Sequence, residues 1–431
     1  MLKMPSDPKH ITQEQCLAID MCCDRDNIIV GITGGAGTGK TFVLGEVYKE
    51  IREKLPASQV VLCAPTGRAA KRIQELTGIP AKTVHRLLEF PMPDDKPMKI
   101  KGQKEDDTSD DNDDRPTVDD TPPNMPRRNR GNRLEQKVVI VDEASMVSPS
   151  LYRHLLDALP NDGVIRFFGD NNQLPPVEQG TPPFIDVLER QPHVELTLNF
   201  RSDDEIVSNA LRILAGKIPL RNSRFEIIYS DAPIGALLKF ATKEFMQDDH
   251  QIIMPTRKGR VGTNRVNPSL QVKFNGKGAS LKLARYDEKE APLVIRANDK
   301  AIWVKNDYNL KLFNGDIGTI QWLNTEDGAL GWANPEGLKV IPPSMKTYSA
   351  YHGSFIQYDP RKQIELGYAV TTHKAQGSEF DTVVYCMCAG QAFLLDRGNF
   401  YTGITRAKKR VILITDRRAI GLSMRRRREN K

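Results

Sequence analysis

Residues 34–41 read GGAGTGKT directly after the apolar run at 28–32, and far downstream a second apolar run, 138–141, ends in Asp142-Glu143. Gly34, Gly35, Gly37 and Gly39, with the small Ala36 and Thr38 between them, let the backbone turn tightly enough for its N–H groups to converge on phosphate oxygens. The helix expected next adds its positive N-terminal end. Lys40 contributes a point charge for the β- and γ-phosphates, Thr41 a hydroxyl for Mg²⁺, and Asp142, at the tip of a buried strand, a carboxylate for the same hydrated ion. Glu143 is left to orient and deprotonate the attacking water. A full GxxxxGK[ST] set between a strand and a helix, paired with that acidic couple, points to ATP hydrolysis with Mg²⁺.

These groups need a sheet to hold them. Between 27 and 197, strand-like apolar runs (27–32, 59–64, 138–141, 164–168, 193–197) alternate with amphipathic stretches such as 41–54 and 149–159. That is the pattern of an α/β domain, a parallel sheet covered by helices on both faces. Ligands of such sheets gather at the carboxyl ends of the strands, where both motifs fall. A second α/β unit is expected from Arg201. It has a helix around 203–215, strands at 251–254, 300–305, 367–371, 383–388 and 410–415, a helix after Gly259, and a small β-rich insert between 315 and 365. Residues 91–137 break the pattern: rich in Pro, Asp, Lys and Arg and without an aromatic residue, they read as an extended charged insertion with little core of its own. Its acidic run, 105–114, is open to two readings, a solvated tether or a strip that mimics nucleic acid.

A chain of 431 residues with 39% hydrophobic content fits two or three globular domains. No apolar stretch approaches the roughly 20 residues that span a bilayer, and residues 1–10 lack the apolar segment of a signal peptide. A cytoplasmic, intracellular protein with no membrane partner is expected. The six cysteines show neither CxxC spacing nor a nearby His cluster, so reduced thiols are expected rather than a zinc site or a disulfide framework. The net charge of +7 gathers in basic clusters at 127–130, 417–418 and 425–428, which suit a polyanionic partner but do not by themselves identify one.

Other stretches choose among phosphate-loop enzymes. Residues 169–177, GDNNQLPPV, follow the strand after Asp142 and put the Gln173 amide within reach of a γ-phosphate. Arg201, in LTLNFRS, and Arg406, in YTGITRA, are arginines that can cross a cleft to the charge developing there. With APTGRAA at 64–70 and TTHKAQGSEF at 371–380, these stand in the order of a known motif set. Over nearly its whole length the chain resembles the superfamily 1 helicases, in the RecD-like branch of superfamily 1B. Residues 11–15, ending in Gln15, look like the adenine-reading motif of that branch, and TVHRL at 83–87 like the short motif after APTGRAA.

The resemblance implies two RecA-like domains, residues 1–200 and 201–431. A pin-like insertion, 90–137, would sit in the first and an SH3-like β insert, 316–366, in the second. It implies nucleotide binding by Gln15, the loop Gly34, Gly35, Ala36, Gly37, Thr38, Gly39, Lys40 and Thr41, and Glu379. Hydrolysis falls to Lys40, Asp142, Glu143, Gln173, Arg201 and Arg406. Pro65, Thr66, Thr83, His85, Phe90, Thr372 and His373 would face a single strand laid across both domains. Small hydroxyls suit a motor that holds phosphates without reading bases and releases them every cycle. Movement 5′ to 3′ on single-stranded DNA, unwinding at junctions of single and double strand, a monomeric state, and work alongside replication or recombination proteins are further implications. One departure stands out: the insertion offers no aromatic wedge. Phe90, just before it, is the nearest candidate but reads more readily as a core residue ending a helix, while the arginines at 127, 128 and 130 are candidates to grip backbone. An RNA helicase of the same superfamily, or an ATP-switched nucleic-acid-binding protein that does not unwind, remain alternatives on sequence alone.

Overall fold

The computed structural model describes residues 11–90, 125–200 apart from 177 and 179, 205–242, 249–285 apart from 260, 291–349 apart from 308, and 354–426. Arg201, most of the charged insertion and the last five residues lie outside this set.

The first sheet has six strands: β1 (Ile29–Gly34), β2 (Val60–Ala64), β3 (Ala81–Thr83), β4 (Val138–Val141), β5 (Val164–Gly169) and β6 (His193–Leu196). They lie in the order β3-β2-β4-β5-β1-β6, all parallel. β2, β4 and β5 are buried along their whole length, as expected for valine- and isoleucine-rich strands covered on both faces. β5 is flanked by β4 and β1, so the carboxyl ends of those two strands bring Asp142 and the glycine-rich loop to either side of it. Thr33 lies opposite Gly169, and Asp170 therefore emerges beside the loop.

Four helices of this domain matter to the site: α1 (Gln13–Cys23), α2 (Lys40–Lys54), α3 (Gly67–Thr77) and the short α4 (Val84–Leu87). α1 opens with a capping box: Thr12 Oγ1 accepts the Gln15 N–H and Gln15 Oε1 accepts the Thr12 N–H. Its other end is held by Arg166, a fully buried residue of β5. The guanidinium donates to Cys22 O at 2.6 Å, Asp24 O at 2.6 Å and Asn27 O at 2.8 Å, satisfying orphan carbonyls at the end of α1 and in the turn after it. Burial lowers the pKa of this arginine.

The second parallel sheet has five strands in the order Ala369–Thr371, His250–Met254, Phe380–Met387, Ala407–Thr415 and Phe225–Tyr229. With the first sheet it gives two RecA-like domains, the expected fold class. Phe225–Tyr229, which the sequence reading did not assign, is an edge strand of this sheet. One expectation needs correction. Lys300–Trp303, expected among the parallel strands, belongs instead to a five-stranded antiparallel sheet, between Ile317–Leu323 and Ile364–Leu366. The reason is a tryptophan pair: Trp303 meets Trp332 edge to face, centroids 5.7 Å apart, and both rings are fully buried in the core cluster of that sheet. Among the described residues no helix is long and apolar enough to cross a membrane. All six cysteines are unbridged.

Candidate active site

The glycine-rich loop is shaped by close approach as much as by turning. A Cβ on Gly34 would fall 2.5 Å from Thr38 Oγ1 and 2.9 Å from Leu196 O, while Gly37 and Gly39 both take φ of +84°, where side chains are strained. Lys40 Nζ donates to Gly34 O at 2.7 Å and Gly35 O at 2.8 Å, which brings its charge over the loop that α2 caps. Thr41 follows in the first turn of α2. Gln15, buried at the start of α1, reaches the same place: its Nε2 stands 2.7 Å from where a Cβ on Gly39 would be.

Asp142 leaves the end of β4 and is nearly buried. Burial pushes its pKa up to about 7, the neighbouring Glu143 adds to that, and Lys40 opposes it. Glu143 itself adopts φ of +50° without being glycine, a strained conformation of the kind that functional sites retain. Its N–H donates to Asp142 Oδ1 at 2.8 Å. One hydroxyl, Thr41, and one desolvated carboxylate, Asp142, form a donor set that fits Mg²⁺, which keeps waters and borrows phosphate oxygens rather than demanding a protein cage. Among the described residues no group of three or more carboxylate, His or Cys side chains is gathered for a metal.

The opposite wall joins residues 170–174 of the first domain to side chains of the second. Gln173 Nε2 lies 3.3 Å from Asp170 Oδ2, and Gln173 Oε1 is buried with no hydrogen-bond partner, an orphan acceptor. The next residue is gripped at both ends of its backbone: Leu174 N–H donates to Thr402 Oγ1 at 3.0 Å, and Leu174 O accepts from Gln376 Nε2 at 2.9 Å. Tyr401 joins in, accepting from Ala36 N–H and donating to Asp170. Arg406 is buried one turn on, its Nε 3.1 Å from Thr402 O and its Nη2 3.3 Å from Thr405 Oγ1. A cavity of about 200 Å³ lies against the loop between Ala36, Thr38, Asn172, Asn199 and Tyr401. Sequence reasoning singled out Gln173 and Arg406 here and missed Asp170, Gln376, Tyr401 and Thr402. The signal was present, since all four sit inside the stretches GDNNQ, KAQG and YTGITRA, but only the residues with an obvious charge or γ-phosphate role were drawn from them.

Comparison with known proteins agrees with this two-walled cleft. Residues 10–226 match the AAA domain family and residues 366–414 the UvrD-like helicase C-terminal domain. The chain is 30% identical to the ATP-dependent RecD2 DNA helicase of Deinococcus radiodurans over 412 residues, 93% of this chain and 48% of that protein. The chain belongs to the RecD-like helicases of superfamily 1. It is also 27% identical to the RecBCD enzyme subunit RecD of Mycolicibacterium smegmatis, covering 89% of this chain and 67% of that one. It thus spans about half the length of the Deinococcus relative and two thirds of the mycobacterial one. The fold is shared with the Pif1 helicase from Bacteroides in complex with ADP-AlF3 and ssDNA, at a TM-score of 0.56 and 18% identity over 94% of this chain and 92% of that one. It is shared as well with Pif1 from Candida albicans, at a TM-score of 0.57 and 18% identity over 96% and 95%.

In this RecD-like chain the residues expected to face a strand divide into several groups. Ala64 pairs with Thr83, so Pro65-Thr66 and Thr83 stand side by side at the carboxyl edge of the first sheet. Both hydroxyls are N-caps: Thr66 Oγ1 accepts Ala69 N–H at 3.2 Å and Thr83 Oγ1 accepts Arg86 N–H at 3.1 Å. His85 stays at the surface beside them. Phe90 is half-buried on the first-domain core, 5.0 Å from the His85 ring and 5.7 Å from that of His154. It is a core-edge residue, not a projecting wedge. Thr372 is corrected: it is fully buried with its hydroxyl turned toward Met254 O, and Thr371 is the residue that caps the short helix Thr372–Ala375. His373 follows it, partly exposed. Glu379 is corrected too, since it pairs with Arg72 of α3 and lines a larger cavity that no residue of the phosphate loop borders. Of the arginines expected to grip backbone, Arg128 is committed to Glu89 and Glu135, and Arg130 to Asp157. Arg201 and the acidic run lie outside the described residues.

Proposed function

We propose that this chain is an ATP-driven DNA helicase that moves 5′ to 3′ along single-stranded DNA and opens duplex at its junctions. The observation that carries the reading is the grip on residues 170–174, which stand beside the phosphate loop, by Gln376, Tyr401 and Thr402 of the second domain. A nucleotide that rearranges the loop must rearrange that grip, and with it the relation of the two domains. In this reading the domains are residues 1–200 and 201–431, with inserts at 90–137 and 316–366.

The loop amides and Lys40 bind the phosphates, and Gln15 borders the nucleotide. Thr41 and Asp142 would hold Mg²⁺, which supplies charge neutralisation across the β- and γ-phosphates. Glu143 orients the attacking water and takes its proton. Gln173 turns its orphan oxygen toward that water, and Arg406, with Arg201 as its proposed companion, stabilises charge on the departing γ-phosphoryl group. Strand contacts fall to Pro65, Thr66, Thr83, His85 and His373, with Thr371 in place of Thr372. Each round of closure then advances one strand-holding surface relative to the other. The Deinococcus relative, named an ATP-dependent DNA helicase, supports DNA over RNA, and the RecBCD subunits support work beside recombination proteins.

The test is unwinding of tailed duplexes with both polarities and both nucleic acids. A DNA duplex with a 5′ tail should be opened and one with only a 3′ tail should not. Opening of the 3′-tailed substrate alone would overturn the polarity, and preference for RNA would overturn the substrate.

A further inference from the structure

The N–H of Ala36, inside the phosphate loop, is spoken for by the other domain: it donates to Tyr401 Oη at 3.2 Å. The same hydroxyl donates to Asp170 Oδ2 at 2.7 Å, and that oxygen also receives Gln173 Nε2 at 3.3 Å. One phenol therefore connects a loop amide with the carboxylate that positions Gln173. Both Tyr401 and Asp170 are buried, so neither bond is exchanged freely with water. The hydroxyl also stands 3.3 Å from where a Cβ on Gly35 would be, which places it directly over the loop. The loop is also held by Asn199 Nδ2 on Ala36 O at 2.8 Å and Phe200 N–H on Gly37 O at 3.0 Å.

A buried tyrosine hydroxyl with a purely structural role would be satisfied by Asp170 alone. The second bond goes to a donor that phosphate binding requires, because loop amides of this motif hold phosphate oxygens. A phosphate oxygen is the stronger acceptor, since its bond is charge-assisted and that to the phenol is neutral. The exchange is favourable and still costs the contact it replaces.

We propose that Tyr401 is a positioning residue that senses nucleotide by competition: phosphate takes Ala36 N–H from its hydroxyl, and the hydroxyl, left on Asp170 alone, passes the change to Gln173. This rests on the reading of the loop as an ATP site in a helicase. Burial and the Asp170 charge hold the Tyr401 phenol well above its ordinary pKa, so it remains a neutral donor throughout.

Tyr401→Phe keeps the ring in the second-domain core and removes both bonds. Its signature is a split that simple damage does not produce. Affinity for a fluorescent ATP analogue, measured without nucleic acid, should rise about two- to tenfold, the worth of one competing hydrogen bond. The stimulation of kcat by single-stranded DNA should fall, because Gln173 no longer receives the signal. Unchanged or weaker nucleotide affinity in a variant that melts like the parent protein would overturn the proposal. Should Tyr401→Phe fail to fold, Asp170→Asn serves: it weakens the acceptor that orients the phenol and should move both readouts the same way by a smaller factor, while no movement in either overturns the proposal. If the parent protein shows no DNA stimulation at all, the helicase reading fails and the affinity comparison still decides the competition.

Discussion

Arg406 approaches the cleft from the second domain with two of its nitrogens already fixed, Nε on Thr402 O and Nη2 on Thr405 Oγ1. A guanidinium held this way needs little reorganisation when charge builds on the γ-phosphoryl group. Arg406→Ala should therefore lower DNA-stimulated kcat by about 10³-fold, the lower end of what a charge-stabilising arginine contributes. KM for ATP should move far less, and Arg406→Lys should recover only part of the loss, because an ammonium lacks the planar fork. Steady-state ATPase assays at saturating DNA check this, and a kcat within tenfold of the parent would remove Arg406 from the chemistry. Residues of this kind were legible in the sequence because their roles follow from charge and spacing: Lys40, Asp142 and Glu143 stand where the motif puts them. Tyr401 and Asp170 were not, since a bond across 231 positions of chain has no local signature. Thr372 was misread for a related reason. In a pair of adjacent threonines, only the backbone of the turn decides which one caps the helix and which one is buried.

At the scale of elements, α3 of the first domain reaches the second through several of its residues. A Cβ on Gly67 would fall 2.6 Å from the Phe313 ring, Arg68 Nη1 donates to Gly315 O at 2.7 Å, Lys71 pairs with Glu336, and Arg72 with Glu379. Behind this row lies a cavity of about 1010 Å³ bordered by Arg68, Asp249, Lys300, Asp316 and Tyr368. Lys300, at the start of the strand Lys300–Trp303, donates to His250 O at 2.7 Å. Burial lowers its pKa to about 8, Arg68 acts in the same direction, and Asp249 opposes. Because the folded value lies below the ordinary 10.5, the unfolded chain binds more protons between pH 8 and 10.5. The resulting penalty on the fold is thus full below pH 8 and disappears as pH rises through that window. Lys300→Met should accordingly stabilise the protein at pH 7 by about 1 kcal/mol, the cavity water and the lost bond to His250 trimming the gain, and the advantage over the parent should vanish near pH 10.5. Urea melts of both proteins at the two pH values measure it, and a variant less stable at pH 7 would refute it. The sequence was a good guide to strands buried on both faces, whose largely apolar runs mark β2, β4 and β5. It was a poor guide to Lys300–Trp303, because a short run such as Lys-Ala-Ile-Trp reads alike in a parallel and an antiparallel sheet. Pairing of Trp303 with Trp332 decides between them, and that is a long-range fact.

For the whole molecule, the proposed motor must hold a polyanion and also let it go, with a net charge of +7. Arg128 and Arg72, which could have gripped it, are paired with Glu89 and Glu379, while Arg130 meets Asp157 with most of its side chain exposed. The side chains proposed to face the strand at the carboxyl edges of the two sheets are uncharged hydroxyls that cap helices, Thr66 and the more buried Thr83 and Thr371, with His85 and His373 beside them. Binding of this kind releases few counterions. For single strands log K falls by about 0.7 per unit of log salt for each phosphate neutralised by a cation. The affinity of this chain for an oligo-dT strand should therefore fall with a slope no steeper than about −2 over the range from roughly 50 to 200 mM salt. Fluorescence anisotropy titrations at several salt concentrations give the slope directly. A value of about −4 or beyond would mean that lysines and arginines carry the strand. In that case the basic clusters would be the true track and the capping hydroxyls only helix ends, whereas a shallow slope fits a motor whose hold on phosphate is switched by hydrogen-bond geometry and not by charge.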